Sequence, residues 1–237
     1  YSEGTELTIT NAEIKDNYTD WTSNSYVSYG IGVCANNSSL KFSMKDSAVK
    51  GNYSSTTNIA NTFGNAYGAG IYLLSSNQDN IIEGCTITEN KVGQESSNSS
   101  NSFGGGIYVS GALKICNGTI ISDNQALYGG GIYSGNSKLN IVDTEIYSNN
   151  ARTFKPTNNQ EKRYGHGGGI YQSNGTITLE GKTCVGKKSI GDDRTYGNTA
   201  YNSGGGIYIY EGSLSITGSE SNYIQISCNS TEYVDSA

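Results

Sequence analysis

Apolar residues recur along this chain in short alternating runs. Leu113 and Ile115, and likewise Leu139 and Ile141, are each separated by a single residue. A period of two is the spacing of a β-strand, and no stretch of about ten residues combines helix formers with a 3.6-residue period. The pattern therefore predicts an all-β fold in which each repeat contributes three short strands.

A glycine-rich block opens each repeat of this pattern. Its copies read, in chain order, YGIGVC (29–34), YGAGIY (67–72), FGGGIY (103–108), YGGGIY (128–133), HGGGIY (166–171) and SGGGIY (203–208). A repeat of this length is one structural unit, which buries its apolar side only by stacking on its neighbours. Because connections between parallel strands are almost always right-handed, we expect the stacked repeats to coil in a right-handed sense.

We predict one domain, 1–237, folded as a right-handed three-sided parallel β-helix with pectate-lyase-like architecture and about six to seven coils. Leu, Ile, Val and Phe together make up only 44 of the 237 residues. This low share agrees with the thin interior that each coil of a solenoid encloses.

Stacking explains why glycine opens each repeat. Strands of neighbouring coils lie about 4.8 Å apart, so a Cβ at this corner would meet the next coil, and glycine also permits positive φ. An Asn closes the preceding repeat, where stacked amides can bond from coil to coil. The predicted structural columns are Gly105, Gly130, Gly168 and Gly205, and Asn17, Asn52, Asn90, Asn124 and Asn149.

Insertions lengthen most repeats at one point, between the Asn and the next glycine block. QAL (125–127) shows how short this connection can be. The predicted insertion loops lie near 18–28, 53–66, 91–102, 151–165 and 186–202. Because insertions at one point of every coil fall along one edge of a solenoid, we expect functional loops to cluster there.

The segment IISDNQALYGGGIY (120–133) resembles the repeat of the chlamydial polymorphic outer membrane protein family. That family pairs G-G-[AG]-[ILV] and F-x-x-N motifs in each coil. Here the glycine motif matches five times, and Ile replaces Phe ahead of Asn90, Asn124 and Asn149. The resemblance covers about 7–217 and implies a β-helical, adhesin-like domain that is secreted or exposed at a surface. Similar glycine-rich repeats occur in large surface proteins of other bacteria, archaea and protists.

Charge and hydropathy exclude two classes of partner. The net charge of −6 leaves no basic stripe to neutralise phosphates, which excludes nucleic acid. No apolar run approaches the roughly 20 residues of a membrane span. The first residues, YSEGTELTIT, are not a signal peptide, so a secreted protein would be seen here in its mature part.

The cysteines do not have the spacing of a metal site. No C-x-x-C pair occurs, so we predict no zinc site, and no other metal or cofactor. The cysteines either fill tight places as small apolar residues or form one or two disulfides. The five are Cys34, Cys85, Cys116, Cys184 and Cys228.

A tyrosine follows the Ile of five glycine blocks and is the most distinctive surface candidate. If Ile points inward, alternation points the next side chain outward, where stacked rings would stabilise the sheet. Alternatively the rings form a platform for sugar rings or for a protein partner. The candidate ligand-binding residues are Tyr72, Tyr108, Tyr133, Tyr171 and Tyr208, with Trp21 in the first insertion.

Catalysis by a β-helical lyase or hydrolase would need several carboxylates on one face. Asp123, Asp143 and Glu145 come from neighbouring coils and predict at most a shallow acidic patch. His166 stands where other repeats carry an aromatic residue before the glycines, which indicates an aromatic substitute, not part of a Ser-His-Asp set. We therefore predict no catalytic residue.

These patterns favour a non-catalytic module, adhesin-like or a structural stalk, that is extracellular or at the cell surface. It would display its loops and the tyrosine row to a host or neighbouring-cell surface protein or to a glycan. A solenoid also has unpaired sheet edges at its ends, and no capping sequence is visible, so we expect end-to-end self-association or a longer parent chain. The alternative is a carbohydrate-active enzyme, a polysaccharide lyase or glycosidase.

Overall fold

The computed structural model describes residues 5–20, 25–55, 63–92, 101–152, 165–188 and 195–232. Every regular element within these ranges is a β-strand. No helix in this part of the chain is long and apolar enough to cross a membrane.

The strands, in chain order, are β1 (Glu6–Thr10), β2 (Glu13–Lys15), β3 (Tyr18–Asp20), β4 (Ser25–Tyr29), β5 (Val33–Asn36), β6 (Lys41–Lys45), β7 (Ala48–Lys50), β8 (Tyr53–Ser55), β9 (Phe63–Tyr67), β10 (Ile71–Ser75), β11 (Ile81–Glu83), β12 (Thr86–Thr88), β13 (Lys91–Val92), β14 (Asn101–Phe103), β15 (Ile107–Cys116), β16 (Ile120–Ser122), β17 (Gln125–Ala126), β18 (Ile132–Val142), β19 (Glu145–Tyr147), β20 (Asn150–Ala151), β21 (Ile170–Glu180), β22 (Cys184–Val185), β23 (Lys187–Lys188), β24 (Thr195–Tyr196), β25 (Thr199–Ala200), β26 (Ile207–Ile209), β27 (Ser213–Thr217), β28 (Gln225–Ile226) and β29 (Ser230–Thr231).

Three long parallel sheets form the sides of a β-solenoid, as the alternation of apolar residues predicted. Sheet A runs β1-β6-β11-β15-β18-β21-β26, with β5, β10 and β27 also paired into it. Sheet B runs β2-β7-β12-β16-β19-β22-β28, and sheet C runs β3-β8-β13-β17-β20-β25-β29. A short sheet D, β4-β9-β14, leads from sheet C into the glycine corner. One strand each from sheets A, B and C makes a rung.

The Ile residues of the glycine blocks form a single interior column. Ile107 pairs in register with Ile132, and Ile132 pairs with Ile170. Each of the three side chains is fully buried. Burying an aliphatic side chain of this size contributes about 2 kcal/mol, so every added coil lengthens a continuous apolar core.

The solenoid has about five turns, fewer than the six to seven coils that the repeat predicted. Six glycine corners bound five complete turns. Within the described residues, one further rung lies beyond the first and the last corner, β1–β3 and β27–β29, and no second corner closes either of them into a full turn. Counting repeats therefore overestimates the number of turns, because it counts the corners.

Two different constraints require glycine at the corner. Gly129 has φ +68°, in the left-handed region that side-chain-bearing residues rarely adopt. At Gly131 φ is not the constraint, but a Cβ would lie 2.7 Å from the Gly169 carbonyl oxygen of the next coil. It would also lie 3.0 Å from the Asn149 side-chain amide. The predicted close approach between coils is confirmed.

The Asn residues form the predicted ladder at the turn between sheets B and C. The backbone and side-chain amides of Asn124 both donate to Asn149 Oδ1, at 3.1 and 3.0 Å. Asn124 Nδ2 also donates to the Ile87 carbonyl of β12 in the preceding coil, at 2.9 Å, which satisfies that buried backbone group. The ladder connects Asn17, Asn52, Asn90, Asn124, Asn149, Asn198 and Asn229, so it continues past the five residues predicted.

The five cysteines are all free thiols. Cys34, Cys85 and Cys116 are buried, and burial raises the pKa of each thiol. The disulfide interpretation is therefore wrong for this structure, and these side chains serve as small apolar residues.

Candidate functional site

The five tyrosines that follow the glycine blocks form one continuous stack, here called the first aromatic column. Adjacent ring centroids lie 5.0–5.2 Å apart, and the rings are within 20° of parallel. In-register strand pairing places them above one another, so the predicted stacking is confirmed. The column consists of Tyr72, Tyr108, Tyr133, Tyr171 and Tyr208.

A second aromatic column runs alongside, made by the residue before each of the first five glycine blocks. It consists of Tyr29, Tyr67, Phe103, Tyr128 and His166. Its rings meet those of the first column edge to face, as where Phe103 lies 5.0 Å from Tyr133 at 72°. His166 stacks on Tyr128 at 6.0 Å, which confirms its prediction as an aromatic substitute. Burial lowers the pKa of His166, so the ring is neutral and suited to stacking.

The two columns bury much of each other's surface. Tyr72 is only 7% exposed and Tyr171 only 9%. Burial raises the pKa of Tyr72 to about 12 and also raises the pKa of Tyr108. The phenols of Tyr72 and Tyr108 are therefore neutral near pH 7. The rings form a double stack in which the first column is partly covered and does not lie open as a flat platform.

Four of the five predicted insertions leave the solenoid along one edge. Their described flanks lie between sheet C and the strand or bridge that enters the glycine corner, after β3, β8, β13 and β20. The fifth differs, because it joins sheet B to sheet C through the antiparallel pair β23 and β24. Trp21 and the centres of all five insertions lie outside the described residues.

The carboxylates singled out in the sequence do not form an acidic patch. Asp143 and Glu145 line a shallow cavity of about 740 Å³ on sheet B, together with Lys182 and Lys187. Lys187 Nζ lies 2.8 Å from Glu145 Oε2, which raises the pKa of the lysine. Asp123 lies at the turn between sheets B and C and is not part of this lining. Both acidic and basic side chains therefore line this shallow cavity, here called the mixed-charge groove.

Lys187 on β23 lines one side of the groove, and β23 pairs with β24. Lys187 lies 5.4 Å from the centre of the Tyr147 ring, and Tyr147 meets Tyr196 edge to face at 6.2 Å. No group of three or more His, Cys, Asp or Glu side chains that could hold a metal ion occurs in the described ranges. The sequence did not reveal this groove, because Lys187 reaches Glu145 only through the hairpin insertion.

No family model, no curated protein and no solved structure matches this chain. The candidate surfaces are therefore defined by their geometry alone: the double aromatic column, the insertion edge beside it, and the mixed-charge groove on sheet B.

Proposed function

We propose that this chain is a non-catalytic module of an extracellular or cell-surface protein, adhesin-like or a structural stalk, that displays loops to a protein or glycan partner. The supporting observation is that four insertions leave the solenoid along one edge, three from successive coils and the fourth two coils further on, next to the double aromatic column. The resemblance of the glycine and Asn motifs to polymorphic outer membrane proteins supports the same surface location.

The scaffold suits display because it holds the loop bases at fixed positions. Strand spacing sets the first three bases about 5 Å apart and the fourth about 10 Å beyond the third, and the Asn ladder ties the coils together next to them. When such loops bind a partner, the loops lose conformational freedom but the scaffold beneath them does not, so the entropic cost of binding is limited to the loops. A long, repetitive ligand such as a glycan chain or an extended protein surface would meet several loops at once.

Shortening the insertions should abolish partner binding and leave the fold intact. The chain supplies its own template, since Leu127 alone connects Ala126 to Tyr128 at the positions equivalent to Val92 and Phe103. Replacing 93–102 with a single leucine should therefore close that coil in the same way. The measurement is binding to a glycan array and to cultured cells, with the unfolding temperature recorded for each variant.

A matched control replaces Thr86 and Asn136, both exposed and away from the insertion edge, with alanine. Binding that is lost on shortening 93–102 or 152–165, but kept in the control, supports the proposal. Binding that survives both shortenings in a folded chain overturns it.

A carbohydrate-active enzyme is the second candidate, and the groove containing Glu145 and Lys187 favours it. An enzyme would release products from a polysaccharide, and Glu145→Gln would stop the release. A binder would retain the polysaccharide without turnover, and Glu145→Gln would have no effect.

A further inference from the structure

The last rung that the structure describes leaves the interior columns uncovered by any other described residue. Ile216 is 49% exposed and Ile226 is 46% exposed. The residues stacked beneath them, Leu179 and Val185, are fully buried. These are core positions by register, so their exposure marks an apolar end face and not ordinary surface.

The first rung ends the same columns from the other side. The column that ends at Ile216 begins at Ile9, and the column that ends at Ile226 begins at Ile14. Ile9 and Ile14 are partly buried and pack against the core from below. The two end faces therefore present the same kind of apolar residue at the same positions around the coil.

The Asn ladder gives the two ends opposite hydrogen-bonding character. Each ladder Asn donates its backbone and side-chain amides to the Oδ1 of the Asn in the following coil, as Asn198 does to Asn229. At the last position, the Asn229 backbone amide has no acceptor within the described residues. At the first position, Asn17 Oδ1 accepts no bond within them. One end lacks an acceptor and the other offers one.

The strand edges complement each other in the same way. In the first rung, the Asp16 backbone amide donates to the Lys50 carbonyl of the next rung, and the Ala12 carbonyl accepts from the Ala48 backbone amide. Because backbone groups alternate in direction along a strand, the amides of Glu13 and Lys15 point the other way, out of the solenoid. At the other end, Gln225 donates back to Thr183, so alternation points the Ile226 amide outward. A second copy that adds a parallel rung in register would use the Glu13 and Lys15 amides on the first face and the Ile226 amide on the last face as hydrogen-bond donors.

We propose that copies of this chain stack head to tail, with the first rung of one on the last rung of the next. The register sets Ile9 on Ile216, Ile14 on Ile226, and Asn17 on Asn229. It sets Glu6 on Ser213 and Glu13 on Gln225, whereas at the end of sheet C the same register sets Asp20 on Glu232. The contact is heterologous, and repeated addition therefore gives open filaments. This inference rests on the fold and is independent of the proposed surface role.

Sedimentation velocity of the full chain over a wide concentration range tests this directly. The wild type should grow in mass with concentration. The double variant Ile216→Lys/Ile226→Lys should stay monomeric, since both side chains are about half exposed in the monomer and the fold should tolerate them. Thr8→Pro should block the other end, because its amide points away from β6 and carries no ladder bond. The control Asn136→Lys/Thr86→Lys adds equal charge on the sides and should associate like the wild type.

Mixing the two blocked variants gives the sharpest result. Each is monomeric alone, but each keeps one free end, so the mixture should form dimers and nothing larger. Filaments or no association in the mixture would contradict head-to-tail stacking. A wild type that remains monomeric at every concentration would also overturn it.

Discussion

Replacing Gly131 with alanine should lower the free energy of unfolding by about 3 kcal/mol or more. The added Cβ would lie 2.7 Å from the Gly169 carbonyl oxygen. That oxygen cannot easily move, because it accepts the Ile132 backbone amide at 2.9 Å. The clash therefore forces two coils apart at the point where the strands and the Asn ladder meet.

Gly118→Ala is the matched control for this effect. Gly118 has φ +73° but nothing within 4 Å of an added Cβ, so Gly118→Ala tests a conformational cost alone, whereas Gly131→Ala tests a clash. We expect it to lose only about 1 kcal/mol. Urea unfolding followed by circular dichroism measures both variants. Equal losses would show that the coils do not approach closely at Gly131.

Replacing Asn124 with alanine should have a still larger effect, about 4 kcal/mol or more. Asn124 is fully buried in the middle of the ladder. Its loss leaves the Asn90 backbone and side-chain amides without their 3.0 Å acceptor, and the Ile87 carbonyl without its donor. Each buried group left unpaired costs about 1–3 kcal/mol.

The control for Asn124 is Asn136→Ala, an exposed Asn on β18 that belongs to no ladder. It should change the free energy of unfolding by less than about 0.5 kcal/mol. Urea unfolding of the two variants under identical conditions measures both changes in the free energy of unfolding. If Asn124→Ala were as mild as its control, the ladder would not be a structural column.

The sequence was sufficient for the repeating part of the fold. Alternation gave the strands, and the shared block Gly-Gly-Ile-Tyr placed Ile107 and Ile132 in one column. Both predictions are confirmed because every coil meets an equivalent coil, so one repeat defines the environment of the next.

The sequence did not predict contacts between residues that occupy different positions in the repeat. The second aromatic column was visible as Tyr, Phe or His before the glycines, but its packing against the first column depends on how the corner folds. Asn198 was missed from the ladder because the hairpin insertion before it breaks the spacing from Val185. The mixed-charge groove was missed for the same reason, since Lys187 lies in that insertion. Asn229 follows Ile226 at the same I-x-x-N spacing as the predicted ladder residues, so the sequence does carry a signal for it.

The most direct test of the stacked-coil account is a methyl NOE experiment on isoleucine-labelled protein. The account predicts strong cross-peaks from Ile107 to Ile132 and from Ile132 to Ile170, assigned with Ile→Val variants. It predicts none from Ile107 to Ile170, which are two coils, or about 10 Å, apart. Absence of the peak between Ile107 and Ile132 would contradict the account, because the glycine blocks would then not mark one corner of a solenoid.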